Sequence, residues 1–254
     1  MRGGAQAQLI RCDDGSYYIV KFQNNPQHTR ILVNELLGTR LAARLGLPVA
    51  PVAVVEVPQE LITKTEDLVI QLGRGRTPCE AGWQFGARYP GDPTQLVVYD
   101  FLPDEQLREV ENLSDFLGML VFDKWTCNTN GRQAIFFRER GRSKHEAMMI
   151  DQGFCFNAGE WNFPDAPLRG LYVRHRVYQS VGGMKSFGPW LERLERLDAS
   201  ELDQIASEIP PEWYNFETEA LERLCEQLLR RRNRVSELLL DARNSSRQPF
   251  PNWK

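Results

Sequence analysis

The hydrophobic period changes near residue 104, and that change limits the folds open to the chain more than any other feature. Up to that point apolar residues come in short runs of strand character, "AQLIRC", "SYYIVKF", "VAPVAVVEVP" and "QLVVYDF", with one helical interval among them. Beyond it Leu113, Phe116, Leu117, Leu120 and Val121 recur at three- and four-residue spacing, and a later stripe of Leu221, Leu224, Leu228, Val235 and Leu238 keeps to one helical side. The pattern predicts an α+β chain with two lobes: a small β-rich N-lobe over residues 1–103 and a mainly helical C-lobe over residues 104–254. A chain of 254 residues, 42% of them hydrophobic, can bury a core of that size.

In the first lobe "DDG" supplies the turn of a hairpin and sets Lys21 at the end of its second strand. A helix from about 27 to 45 places Ile31, Leu32, Leu36, Leu41 and Leu45 at helical spacing, carries Glu35, and is stopped by Gly46 and Pro48. Residues 71–93, "QLGRGRTPCEAGWQFGARYPGDP", are rich in Gly and Pro and read as a surface excursion. In the second lobe a core helix runs from Leu113 into Trp125, a polar turn follows, and the strands "QAIFF" and "HEAMMI" flank the loop "RERGRSK". The second of these strands delivers Asp151 at its end, with Gly153 two residues on. Helices are expected near 187–208 and 217–240, and "NSSRQPFPNWK" reads as a loosely held tail in which Phe250 and Trp253 can dock.

Several function classes drop out. A net charge of −3, from 31 Lys and Arg against 34 Asp and Glu, gives no electrostatic footprint for nucleic acid, and "RRR" at 230–232 is a local cluster. The start lacks the apolar core of a secretory signal and no run is long enough to span a bilayer, so no membrane partner and a cytoplasmic location are expected. Five scattered cysteines without a C-x-x-C pair, and three isolated histidines, give no disulfide framework, zinc site or Ser-His-Asp arrangement. The Leu-rich final stripe suits packing within the lobe as well as between chains, so it sets no oligomeric state.

What remains is an ordered set: Gly3 and Gly4 in a turn before the first strand, a strand Lys21, a helical Glu35, and an Asp151-x-Gly. Phosphoryl transfer from ATP is mostly positioning and charge neutralisation, and it needs these parts. A lysine meets the α- and β-phosphates, a helical carboxylate orients that lysine, and an aspartate at a strand end holds Mg²⁺. Gly3 and Gly4 would let backbone N–H groups approach the phosphates. Singly, each has a plainer reading as a solvated lysine, a helix-edge carboxylate or a turn aspartate, and their order is what carries weight. Adenine is expected beside the lobe connection, on backbone groups of Tyr99, Asp100, Phe101 and Leu102.

The stretch "YYIVKFQNNPQHTRILVNELLGTRLAARLGLPVAPV" resembles the HipA-like kinase family, in which a strand Lys precedes an N-E helix that exits through a G-L-P-V type turn. "LGMLVFDKWTCNTNGRQAIFF", "MMIDQGFCF", "GEWNFPDAPLRGLY" and "IPPEWY" resemble a compact branch of that family, one without the extra N-terminal segment of its toxin members. The resemblance implies a protein-kinase-like two-lobed fold, binding of ATP and Mg²⁺, and transfer to Ser or Thr of a protein substrate.

Two registers compete for the catalytic loop. In the first, Asp123 and Asn128 supply D-x-x-x-x-N, the Asp taking the acceptor's proton and the Asn ligating metal. In the second, set by the family's N-T-D-x-x-x-x-N pattern, the base position falls on Asn130 and the metal-ligand position on Ile135. Spacing favours the first and helical periodicity the second, because a helix through Trp125 holds Asp123 in its last turn, where it could pair with Arg132 or Lys124. An amide cannot accept the proton, and general-base catalysis contributes ~10²- to 10⁴-fold, so the second register predicts a slow kinase or a nucleotide-binding pseudokinase. Trp161, Phe163, Tyr172 and Tyr178 suit core packing of irregular loops better than a peptide groove, and Arg169 and Arg174 suit an acidic partner or plain solvation equally.

Overall fold

The computed structural model describes residues 4–27 and 30–254. The chain opens with a hairpin of β1 (Gln8–Arg11) and β2 (Tyr17–Lys21), closed by the Cys12 N–H donating to the Ser16 carbonyl at 2.9 Å and by the Ser16 N–H donating to Asp14 Oδ1 at 2.8 Å. That turn fixes the register at Gln8 opposite Val20 and leaves Lys21 as the last residue of β2. Helix α1 (Arg30–Arg44) follows, buried on almost every side, and its C-terminal turn is held from the other lobe by Arg193, whose Nη1 donates to the Leu45 carbonyl at 2.8 Å. The helix so anchored is held by both lobes and carries Glu35 between them.

Next come β3 (Val52–Val57), α2 (Gln59–Lys64), β4 (Val69–Leu72), β5 (Gly75–Pro78) and β6 (Gly82–Arg88). The first sheet is antiparallel in the order β1-β2-β6-β3, with β4 and β5 as a separate hairpin. The segment 71–93 is therefore no surface excursion: it contains β6, which is paired on both sides. Its glycines misled the reading for a packing reason, since a Cβ at Gly86 would lie 2.5 Å from Val55 Cγ2, so this central strand admits no side chain there. Val20, Phe22, Val57, Ile62, Leu68, Ile70 and Cys79 form a small separate core under the hairpin.

The strand β7 (Leu96–Tyr99) pairs with β8 (Gln133–Glu139), which pairs with β9 (Glu146–Ile150), and so belongs to a second three-stranded sheet. The passage between the two sheets accordingly runs through residues 89–95, ahead of the expected border at 103. Helix α3 (Asp115–Thr126) precedes β8 and is buried along its whole length after the first residue. The expected helix near 187–208 is two, α4 (Gly188–Arg196) and α5 (Ala199–Ser207), because Asp198 caps α5 in a reciprocal box with Glu201. The expected helix at 217–240 is likewise α6 (Thr218–Arg231) and α7 (Val235–Arg243), joined by a 3₁₀ turn. The tail is docked: Phe250 is buried against Tyr178 and Phe187, and Asn252 donates to the Gln179 carbonyl at 2.6 Å. Among the described residues no helix is long and apolar enough to cross a membrane.

Candidate active site

Three elements converge at one point. Lys21 ends β2, Glu35 sits on the second turn of α1, and Asp151 follows the last residue of β9. The Lys21 ammonium donates to Glu35 Oε1 and, at 3.0 Å, to Asp151 Oδ1. Glu35 also accepts the Gly153 N–H at 2.9 Å and the Gln152 N–H at 3.1 Å, so the helix holds the backbone of the Asp-x-Gly turn as well as the lysine. Asp151 itself is in the left-handed region at φ +62, which turns its carboxylate out of the β9 ladder and toward Lys21. Burial pulls the Lys21 ammonium down, and attraction to Glu35 and Asp151 outweighs it, leaving the group above its ordinary value. Burial would raise Asp151, and Lys21 and its hydrogen bonds overcome that to hold it below the usual carboxylate range. Glu35, fully enclosed, is pushed up by burial against the pull of Lys21.

The neighbouring Asn34 fastens what comes next. Its amide nitrogen lies within 3.0 Å of the carbonyls of Gly153, Cys155 and Ala158, and its oxygen accepts Trp161 Nε1–H at 2.9 Å. These contacts hold a strained run in which Phe156, Asn157 and Ala158 all have positive φ. The segment after Asp151 is thus tied to α1 by two adjacent side chains, Asn34 and Glu35.

The turn after α3 settles where Asp123 points. The helix ends at a left-handed Cys127, and Asp123 lies in its last turn with a fully buried carboxylate. Arg132, equally buried, grips that carboxylate through Nε at 2.9 Å and through Nη2, while Asn128 donates to Oδ1 at 2.9 Å. Arg132 uses Nη1 to reach the Ile150 carbonyl and Gln152 Oε1, both at 2.8 Å. Gly170 packs against the Asp123 side chain so closely that a Cβ there would lie 2.3 Å from Asp123 Cβ. Asp123 and Asn128 therefore belong to a buried polar network that joins the α3 terminus to the end of β9, and neither lines the cleft. Asn130 does line it, as does Ile135. In the first register Asp123 and Asn128 would have had to face solvent and substrate; Arg132 takes up the Asp123 carboxylate, and Asn128 spends its amide on the same group.

The cleft encloses about 460 Å³. Ile19, Val52, Ala87, Val98 and Met148 make apolar walls, and Lys21, Asp151, Asn130 and Gln133 make a polar end. Gly4 lies on its rim; Gly3 is outside the described residues. Arg88, at the end of β6, and Tyr89 and Pro90, at the start of the lobe connection, line the cleft, and Tyr99 to Leu102 do not. Tyr99 pairs with Phe136 inside the second sheet, Asp100 and Phe101 are exposed, with Phe101 beneath Arg174, and Leu102 is buried in the core. The error follows from the fold, because a reading that took β6 for a loop had to find the connection after the next strand.

Trp161 and Tyr178 are buried, Tyr172 packs on Phe116, and Phe163 lies against Arg231, so the aromatic set serves the core. Arg174 pairs with Asp104, and Arg169 donates to the Pro164 carbonyl. Gln133 was not anticipated: its Nε2 donates to Asp151 Oδ2 at 2.8 Å. Its position as the first residue of the strand leaving the turn after α3 is the only sequence signal for it.

Comparison with known proteins places the chain in a family and a fold. The family model described as HipA-like kinase matches residues 1–166, well over half of the chain. Among solved structures, a proinflammatory kinase of Helicobacter pylori, CtkA, superposes with a TM-score of 0.59 at 15% identity, covering 95% of this chain and 92% of that one. The Golgi casein kinase with Mn/ADP bound gives 0.55 at 12% identity over 98% of this chain and 73% of that one. HipA of Shewanella oneidensis, in its complex with HipB and operator DNA, gives 0.54 at 14% identity over 97% and 67%. At such identities the superpositions establish the protein-kinase-like fold. No curated protein matches the chain.

Proposed function

The chain belongs to the HipA-like kinase family, and on that footing we propose that it binds ATP with Mg²⁺ and transfers the γ-phosphoryl group to a hydroxyl of a protein substrate. The observation that carries the proposal is the Lys21–Glu35–Asp151 junction at the polar end of an apolar-walled cleft. An ammonium has three N–H donors and Lys21 spends two on carboxylates, so the third is left for a phosphate oxygen. Glu35 fixes the lysine's direction, and the apolar walls suit the faces of a purine next to Arg88–Pro90.

The donor set fits the metal. Among the described residues there is no group of three or more His, Cys, Asp or Glu side chains able to hold an ion. A resident metal site is thereby disfavoured, whereas Mg²⁺ in phosphoryl-transfer sites uses one or two carboxylates and takes its remaining oxygens from phosphates and water. Asp151, ionised and partly open to solvent, is such a carboxylate. The metal supplies neutralisation of phosphate charge when bound.

A second reading, a nucleotide-binding pseudokinase, is favoured by a specific observation: the cleft-facing residue at the base position is Asn130, while the nearest candidate base, Asp123, is sealed against Arg132. Both readings share the nucleotide site and differ by the ~10²- to 10⁴-fold a general base contributes. Thermal unfolding with and without ATP and Mg²⁺ tests the site. Ligand at a hundred times its Kd stabilises by about 2.7 kcal/mol, and Lys21→Met or Asp151→Ala should abolish that gain. An unchanged gain in Asp151→Ala would remove the assignment. Intact-mass measurement of autophosphorylation then separates a slow enzyme from a pseudokinase.

A further inference from the structure

Family spacing puts the second metal ligand at Ile135, whose side chain has no donor atom. We propose that Gln133 takes over this role, its side-chain amide oxygen and the Asp151 carboxylate together binding the divalent cation that accompanies the nucleotide. The inference rests on the nucleotide reading of the same cleft and names the chain's own ligands within it.

Three observations carry it. Gln133 and Ile135 lie on one face of β8 and both line the cleft, so two residues along the strand exchange one candidate position for the other without leaving the site. The Gln133 amide already touches Asp151, Nε2 standing 2.8 Å from Oδ2. Two oxygens bound side by side on an octahedral Mg²⁺ at ~2.0–2.1 Å stand ~2.8–3.0 Å apart, and the amide–carboxylate separation already has that size. Rotation about the terminal torsion of glutamine exchanges Nε2 for Oε1 at little cost, because that torsion is soft and the side chain is exposed.

The same amide thus has two modes. Without metal it donates a hydrogen bond that holds Asp151 Oδ2 in place; with metal it offers oxygen. Of the neighbouring cleft amides, Asn130 and Gln152 are weaker candidates, since the Asn130 oxygen already accepts the Gly131 N–H at 2.9 Å and Gln152 Oε1 accepts from Arg132 Nη1 at 2.8 Å. Asn128 is excluded by burial against Asp123.

The test is uptake of Mn²⁺, followed by the electron paramagnetic resonance signal of the free ion, by the full chain with a non-hydrolysable ATP analogue. Gln133→Leu should raise the Mn²⁺ dissociation constant tenfold or more. Gln133→Glu, which keeps an oxygen but cannot donate to Asp151, should bind Mn²⁺ at least as tightly as wild type. Gln133→Lys, which keeps a donor and lacks the oxygen, should bind it as poorly as the leucine variant. Undiminished Mn²⁺ uptake by Gln133→Leu, or loss of uptake in Gln133→Glu, overturns the assignment and leaves the nucleotide site standing. Failure of the wild-type chain to take up Mn²⁺ with the analogue takes down the nucleotide reading and this inference with it.

Discussion

Removing the Asp123 carboxylate should damage stability far more than nucleotide binding. In the folded chain Arg132 is enclosed and makes four hydrogen bonds, two of them to Asp123. Asp123→Ala leaves that guanidinium buried with half its partners gone and strips Asn128 of its acceptor. Breaking one side of a buried ion pair costs ~3–5 kcal/mol, because the surviving charge keeps its desolvation penalty and loses its compensation. For a chain of this size each kcal/mol moves Tm by about 2–4 °C, so the variant should melt roughly 6–20 °C lower. The double variant Asp123→Leu/Arg132→Met removes both charges and should recover much of the loss. It will fall short of wild type by ~1–3 kcal/mol, because Gln152 Oε1 loses the donor that Arg132 supplies. Urea unfolding of the wild type, both singles and the double closes the cycle and yields the coupling energy directly. A single variant destabilised by less than about 1 kcal/mol, yet unable to bind ATP with Mg²⁺, would show that Asp123 works in the cleft. The burial reasoning would then fail.

Two further predictions concern other buried features. Ala158 sits at φ +56, ψ −123, a conformation that suits glycine, so Ala158→Gly should stabilise the fold by ~1 kcal/mol and raise Tm by a few degrees in a thermal melt. Lys124 donates to the carbonyls of Ala166, Pro167 and Arg169, and burial lowers its pKa to about 8. Between pH 8 and the unfolded value near ~10.4 the unfolded chain then holds more protons on this group, so its contribution to stability rises with pH across that window and is flat below it. Subtracting the urea stability of Lys124→Met from that of wild type at each pH isolates the slope, and a flat difference from pH 8 to 10 would place the ammonium's pKa at its ordinary value.

The parts of the fold legible in the sequence are those where local pattern and tertiary packing ask for the same thing. The first hairpin has its turn chemistry written at Asp14 and Gly15, α1 has its apolar spacing, and β9 delivers Asp151 because an apolar strand has to end somewhere near a glycine. β6 was illegible because its central place in the sheet is what demands glycine at 86, and glycine locally reads as loop. Losing that strand displaced the lobe connection by about ten residues, and Tyr99 to Leu102 accordingly lie outside the cleft lining. The contact between Gln133 and Asp151 joins residues 18 apart on neighbouring strands, and only the β8–β9 register brings them together.

The competing registers around Asp123 have a physical origin of their own. An α-helix closed by a left-handed residue folds the next backbone N–H back onto the last turn, which brings residues five apart into contact. Here Cys127 is that residue: the Asn128 N–H donates to the Asp123 carbonyl at 3.0 Å, and the Asn128 side chain donates to the Asp123 carboxylate at 2.9 Å. D-x-x-x-x-N is therefore a spacing that helix termination can produce with no chemistry attached. What separates the two origins is the cation in the neighbourhood. An aspartate free to take a proton in a cleft needs its carboxylate open, whereas this one has an arginine nine residues later whose guanidinium occupies both oxygens. That arginine also reaches the turn after β9, so the charge that closes off Asp123 is the same one that steadies the strand end before Asp151. In this chain a carboxylate that spacing alone would make a proton acceptor is tied through Arg132 to the end of β9, and the loop residue that lines the cleft in its place is an amide, Asn130.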